Sequence, residues 1–288
     1  MSLEARGHLA AVFTILIWGA TFISTKILLT AIPPIEILVY RFIVGYAALW
    51  AMAPHWIPMR SLRKEALFAA AGLTGICLYY LLENIALTYS MASNVGITVS
   101  TAPFFIALLA PLFTHGAETA PRRFYFGFVI ALCGISLITI SGSRLSFSPF
   151  GDFLALGAAF VWAVYSHLLR IIFEFGEPMI PVTRRIFGYG ILFMLPVLFW
   201  EGGAAHLSAA ADFLYLGNLL FLGFGASAGC FATWNYAVKI MGPVKSGAYI
   251  YTTPVVTAIL AILILHEPFT WLSGCGMALT ILGLILSQ

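Results

Sequence analysis

The sequence predicts an all-α membrane protein of ten transmembrane helices, arranged as two inverted five-helix repeats. Three observations predict it. The 288 residues are 61% hydrophobic and only 9% charged, against roughly 25% charged in soluble domains. Apolar runs of about 20 residues recur from end to end, each long enough to cross a hydrocarbon core about 30 Å thick. One stretch is also written twice. Asn84, Ala86, Gly96, Thr101, Pro103, Ala107, Leu109, Ala110, Leu112 and His115 recur, without a gap, 151 residues later as Asn235, Ala237, Gly247, Thr252, Pro254, Ala258, Leu260, Ala261, Leu263 and His266.

The ten spans fall at roughly residues 8–29, 35–54, 66–90, 95–115, 122–141, 152–173, 182–200, 213–238, 246–265 and 270–287. Helix breakers separate them: Pro33-Pro34, Pro54 to Pro58, Ala117 to Pro121, Ser141 to Pro149, Glu177-Pro178, Glu201 to Ala205, Gly242-Pro243 and Glu267-Pro268. No connection is long enough for a soluble domain, so function belongs among the helices. Met1 to Gly7 contains Glu4 and Arg6 and leads straight into a full span, so no cleavable signal peptide is expected.

The repeat extends beyond the doubled stretch. Gly7, Trp18 and Lys26 return as Gly151, Trp162 and Arg170; Arg41 with Gly45-Tyr46 returns as Arg184 with Gly188-Tyr189; Gly72 returns as Gly223. Residues 7–143 and 151–288 are therefore read as two copies of a five-helix unit. Five is odd, so the second copy enters the membrane from the opposite side, an arrangement common among secondary transporters with a site near the midplane. With a cytoplasmic N-terminus, 11 of the 14 Lys and Arg residues fall at cytoplasmic ends or loops. Only Lys26, Arg41 and Arg144 fall toward the other side. A multi-pass protein of the plasma (inner) membrane with both termini inside follows.

Composition excludes several classes. A net charge of +3 with scattered basic residues does not point to nucleic acid. Cys77, Cys133, Cys230 and Cys275 lie inside apolar runs with no metal or redox spacing, and read as packing residues, so no metal and no cofactor are expected. An intramembrane enzyme is the alternative from another class. Against it, His8, His55, His115, His167, His206 and His266 are scattered, with no Ser-His arrangement and no paired carboxylates. A channel would call for charged rings or a carbonyl filter motif, and neither is present.

Two inverted five-helix repeats, each opening with a Trp-containing helix and carrying Asn-x-Ala then Thr-x-Pro, resemble the drug/metabolite transporter superfamily. Within it the chain is most similar to EamA-type metabolite exporters, and among these to aromatic amino-acid exporters of the YddG type. The likeness covers essentially the whole chain. It implies a basket of helices around a central cavity, alternating access, and export of small metabolites. The expected partners are a small-molecule solute and the lipid bilayer; a monomer is the simplest assembly, and the sequence does not fix it. Aromatic amino acids and related drugs are the solutes the resemblance implies, with nucleosides or sugars as alternatives.

On a 3.6-residue period a polar seam emerges. Tyr80, Asn84 and Thr88 share one face of the third span, and Ser227, Phe231, Asn235 and Lys239 one face of the eighth. Asn94, Thr98, Thr101 and Phe105 align on the fourth, matched by Lys245, Tyr249, Thr252 and Val256 on the ninth. Polar groups at membrane depth face protein or water, so these faces are the expected cavity wall. Asn84 and Asn235 can each donate and accept to a solute, or equally tie helices together at about 0.5–2 kcal/mol. Trp18 and Trp162 lie in mid-span rather than in an interfacial belt. With Tyr79, Tyr80, Tyr165, Trp234, Tyr249 and Tyr251 they could cage flat or cationic solutes, or simply pack. Pro103 and Pro254 are expected to kink their helices and free a carbonyl near Val99 or Ile250, as a hinge or a static bend. Glu83 is the one acid deep in a span and could carry a coupling proton; its counterpart Trp234 shows that the repeat does not require it. Lys26 and Arg170 are placed at opposite mouths, steering anions or anchoring helix ends.

Overall fold

This computed structural model describes residues 2–58, 61–90, 92–116, 119–142, 148–203, 205–210, 212–265 and 270–287. Of the residues named above, Met1, Ala117, Arg144, His266, Glu267 and Pro268 lie outside these, as do the side chains of Lys26, Asn94, Ser141, Ala258 and Ala261. Among the described residues every regular element is a helix. These are α1 (Leu3–Leu28), α2 (Pro34–Met52), α3 (Leu62–Gly72), α4 (Tyr79–Tyr89), α5 (Ala92–Val99), α6 (Ala102–Phe113) and α7 (Arg122–Gly142). After them come α8 (Pro149–Phe173), α9 (Met179–Trp200), the short α10 (Leu207–Ala210), α11 (Phe213–Leu220), α12 (Cys230–Ala248), α13 (Thr253–Leu265) and α14 (Trp271–Ser287). Among the described residues six runs are long and apolar enough to cross a membrane: Leu3–Thr25, Pro34–Met52, Leu62–Tyr89, Pro149–Phe173, Met179–Trp200 and Phe213–Thr257.

Local chemistry sets the helix ends. Ser2 caps α1 by accepting from the Ala5 N–H, Asp212 caps α11 by accepting from the Leu214 N–H, and Pro34 and Pro149 open α2 and α8. Two π-helical stretches, Leu73–Leu78 and Phe221–Gly229, join α3 to α4 and α11 to α12 without a break. Such stretches widen the turn and are frequent at functional sites.

Two spans differ from the expectation. The run 95–115 is not one kinked helix: α5 stops at Val99, Thr101 caps, and α6 starts at Ala102. In the second half a 3-10 turn, Tyr249–Thr252, precedes α13. Pro103 and Pro254 therefore sit in the first turn of a new helix, where a missing N–H costs nothing. The Ile250 carbonyl is not free, because it accepts from the Thr253 N–H. Further back, Gly242 at φ +79° and ψ 165° turns the chain inside α12. That backbone region is open essentially to glycine alone.

Contacts recur in mirrored pairs. Gly7 of α1 packs on Ile240 and Met241, while Gly151 of α8 packs on Tyr89 and Ser90. Gly72 lies against Tyr189 and Gly190 of α9, and Gly223 against Val44 of α2. At each place a Cβ would collide with the facing chain, so only glycine permits the approach that membrane helices use for packing. α7 runs along α14 as a further pair. Large apolar side chains such as Phe126, Phe153, Phe199 and Leu112 point outward, as lipid-facing positions require.

Candidate functional site

Aromatic rings from α1, α2, α4, α8, α9 and α12 converge inside the bundle. The Trp18 ring lies 5.5 Å from Trp162 and 5.2 Å from Trp234, and Trp162 lies 6.2 Å from Trp234. Tyr79 is 4.8 Å from both Trp162 and Tyr80, and Tyr165 is 5.1 Å from Trp162. Phe231 sits among them, between Trp18 at 5.9 Å and Phe187 at 5.1 Å, with Phe42 at 6.1 Å. Most of these pairs are tilted or edge-to-face, the arrangement the ring quadrupole favours. Gly75 makes room for the Tyr165 ring, which lies directly on its Cα.

One buried cation stands at the edge of this cluster. Arg41 is 4% exposed; its Nε donates to Ser227 Oγ at 3.0 Å, and its guanidinium lies 4.7 Å over the Tyr80 ring and 5.1 Å over Phe42. Its charge lies near the buried carboxyl of Glu83, which also neighbours the Tyr79 hydroxyl. Burial of either charge alone would be costly, and each offsets the other.

The polar residues of the seam divide. Asn235 donates to Thr183 Oγ1 at 2.8 Å and accepts from the Tyr165 hydroxyl at 3.4 Å. Its twin Asn84 is buried with Nδ2 unpartnered. Trp18 Nε1 donates to the Ala226 carbonyl at 3.1 Å, whereas Trp162 Nε1 and Trp234 Nε1 are buried without a partner. An orphaned buried donor costs about 1–3 kcal/mol. Thr101 and Thr252 donate to the carbonyls three residues back, Thr98 at 2.6 Å and Tyr249 at 2.7 Å. Tyr249 is drawn away from the rings by a 2.6 Å bond between its hydroxyl and His8 Nδ1. The structure thus gathers Trp18, Tyr79, Tyr80, Trp162 and Tyr165 into one ring cluster with Glu83 beside it, ties Asn235 to that cluster through Tyr165, and keeps Tyr249 outside it.

The rings pack against one another inside the bundle. Toward one end lies a cavity of about 730 Å³, lined by Ala110, Arg170, Phe173, Glu174, Val238, Lys239 and Lys245 among others. Val238 is one helical turn from Trp234, so the cavity floor borders the rings. Arg170 is therefore at a mouth. Sequence reasoning passed over Arg41, Phe42 and Phe187 as site residues, while Phe231 stands on a face it read as cavity wall. The signal for Arg41 was there: an ionisable residue inside a span is a functional candidate by default.

Comparison with known proteins agrees with this frame. The EamA-like transporter family model matches twice, over residues 5–140 and 149–287. An uncharacterized transporter of Archaeoglobus fulgidus is 28% identical, covering 99% of this chain and 98% of its own. A probable terminal-alkyne amino-acid exporter of Streptantibioticus cattleyicolor is 26% identical, over 96% of this chain and 91% of its own. The uncharacterized inner membrane transporter YedA of Escherichia coli is 25% identical, over 94% and 87%. A solved crystal structure shares the fold, with a TM-score of 0.81 at 20% identity over 98% of this chain and 96% of that one. With matches that span both halves, the chain belongs to the EamA-like transporter family.

Proposed function

We propose that the protein is a secondary transporter that exports small amphipathic metabolites, aromatic amino acids and related drugs foremost, across the plasma membrane. The observation that carries this reading is the ring cluster, built from helices of both halves and bordered by a cavity toward one end of the bundle. A flat or cationic solute entering from that end would replace ring-on-ring contacts with ring-on-solute contacts of similar strength. The doubled family match and the mirrored glycine contacts support two inverted repeats that rock about the cluster, the usual route to alternating access. In this reading the protein acts on its solute by moving it.

Glu83, with Arg41 beside it, is the coupling candidate; Arg170 steers solutes at the mouth, and the breaks before Pro103 and Pro254 serve as hinges. Uptake of labelled Phe, Trp and Thr by proteoliposomes tests the reading. Uptake above empty vesicles that quickens under a pH gradient in wild type and loses that response in Glu83→Gln is expected. No uptake by folded protein would sink it, and uptake of nucleosides or sugars alone would replace the solute class.

A further inference from the structure

Twin positions in the two halves carry the same residue in different hydrogen-bond states. Trp18 Nε1 of α1 donates to the Ala226 carbonyl, and Asn235 of α12 is held between Thr183 and Tyr165. Where α4 meets α8, the twins Asn84 and Trp162, 4% and 3% exposed, keep an unpartnered Nδ2 and an unpartnered Nε1. Trp234, fully buried, has an unpartnered Nε1 as well.

The twin of Trp234 is Glu83, so the repeat breaks here. One half offers a buried acid where the other offers a buried N–H donor. The groups are contiguous: Trp234 is 6.2 Å from Trp162, Trp162 is 4.8 Å from Tyr79, and buried Glu83 stands one turn further along α4 from Tyr79. Arg41 balances the acid from beyond Tyr80 while its own Nε is spent on Ser227. What this constellation lacks is an acceptor for two indole N–H groups and a second donor for a carboxylate. One small molecule supplies both if it carries a carboxylate and an ammonium on the same carbon.

We propose that Glu83, Trp162 and Trp234 form a head-group subsite for a zwitterionic α-amino acid. The solute ammonium donates to Glu83, and its carboxylate accepts from the Trp162 and Trp234 N–H groups. The side chain takes the place of a ring in the aromatic cluster. The inference rests on the reading of that cluster as the solute cage. Neutral indole donors hold a carboxylate less tightly than a guanidinium would, which suits a solute that must leave again.

Three ligands with the same ring test it: L-phenylalanine, phenethylamine, which lacks the carboxylate, and 3-phenylpropionate, which lacks the ammonium. Binding is measured on purified protein in nanodiscs, with the unfolding midpoint of each variant as a check on folding. Phenylalanine is expected to bind at least about tenfold more tightly than either fragment, the loss that goes with one charge-assisted hydrogen bond. Glu83→Gln should weaken phenylalanine and phenethylamine and spare 3-phenylpropionate. Trp162→Phe and Trp234→Phe should weaken phenylalanine and 3-phenylpropionate and spare phenethylamine. Trp18→Phe, whose N–H is already engaged, should change all three in proportion. Equal binding of the three, or proportional losses in Glu83→Gln and Trp162→Phe, overturns this inference and leaves the transporter reading standing. No binding of any of the three by folded protein overturns both.

Discussion

Arg41 carries a full charge about two turns into α2, and it is held there by Ser227 Oγ, two aromatic faces and the nearby Glu83 carboxylate. Replacing it with an apolar residue of similar length leaves the acid buried without a counter-charge. Arg41→Met is therefore expected to destabilise by about 3 kcal/mol, and Arg41→Met with Glu83→Gln to regain most of it. Thermal unfolding in detergent reads the difference; a double variant no more stable than the single one would show that the two charges do not interact. The asparagine twins give a second residue-scale expectation. Asn235→Ala removes bonds to Thr183 and Tyr165 and should cost about 1–3 kcal/mol. Asn84→Ala removes an Nδ2 that has no partner and should cost less than half as much in the same measurement. Equal losses would mean that the twins do the same job.

At the scale of elements, the informative positions are the interruptions. The Thr-x-Pro repeat was plain in the sequence, but its effect was not. Proline can bend a helix or begin one, and the choice depends on whether the preceding residues find partners outside the ladder. Here Thr101 and Thr252 turn their hydroxyls back onto Thr98 and Tyr249, closing the first segment and letting proline open the next. The π-helical stretches were also invisible to a 3.6-residue count, since each disturbs the register by a single residue; their cause is tertiary, at Gly72, Gly75 and Gly223, where neighbouring chains press in. Gly242, by contrast, was legible as a breaker, and its φ of +79° makes it a glycine by necessity. Gly242→Ala is expected to cost about 1–3 kcal/mol and to slow transport, because the turn forms part of the cavity wall. A midpoint shift in unfolding, alongside uptake rates, checks both.

At the scale of the molecule, the two ends of the bundle are latched differently. At the cavity end Glu65 binds Arg185 at 2.8 Å and Tyr189 at 2.6 Å, and Lys245 binds Glu4 at 3.1 Å. Arg184, stacked on Trp50, donates to the Ala53 and His55 carbonyls. At the other end Glu36 holds His206 at 2.8 Å, Asp152 accepts from Ser90 at 2.9 Å, and Asn218 accepts from Ser24 at 2.7 Å. Near the cavity end His8 meets Tyr249, and Leu284 packs on the cluster of Ala131, Ala248 and Tyr251, contacts that fit the expected topology with both termini on one side. Ser2→Cys and Trp200→Cys in a cysteine-free background should label from opposite faces of the membrane, Ser2→Cys only from the cytoplasm. Labelling of both from outside intact cells would reject this topology. The all-helical membrane class and the transporter family could be read from the chain, because bilayer thickness and duplication leave marks at fixed spacing. Which rings meet, and which twin keeps its hydrogen bond, could not, because both depend on how the halves lean on each other.

The mismatch of Glu83 with Trp234 has a consequence for how such a protein can change. Two identical half-chains assembled about an axis would present every wall residue twice, and a solute bound between them would have no preferred way round. Fusing the halves into one chain removes that constraint at each position separately. An acid can settle on one wall and an indole on the other while the glycines that fit the helices together stay paired. In the proposed transporter the shared frame keeps the motion, and positions where the copies differ, Glu83 against Trp234 among them, give the solute a head and a tail.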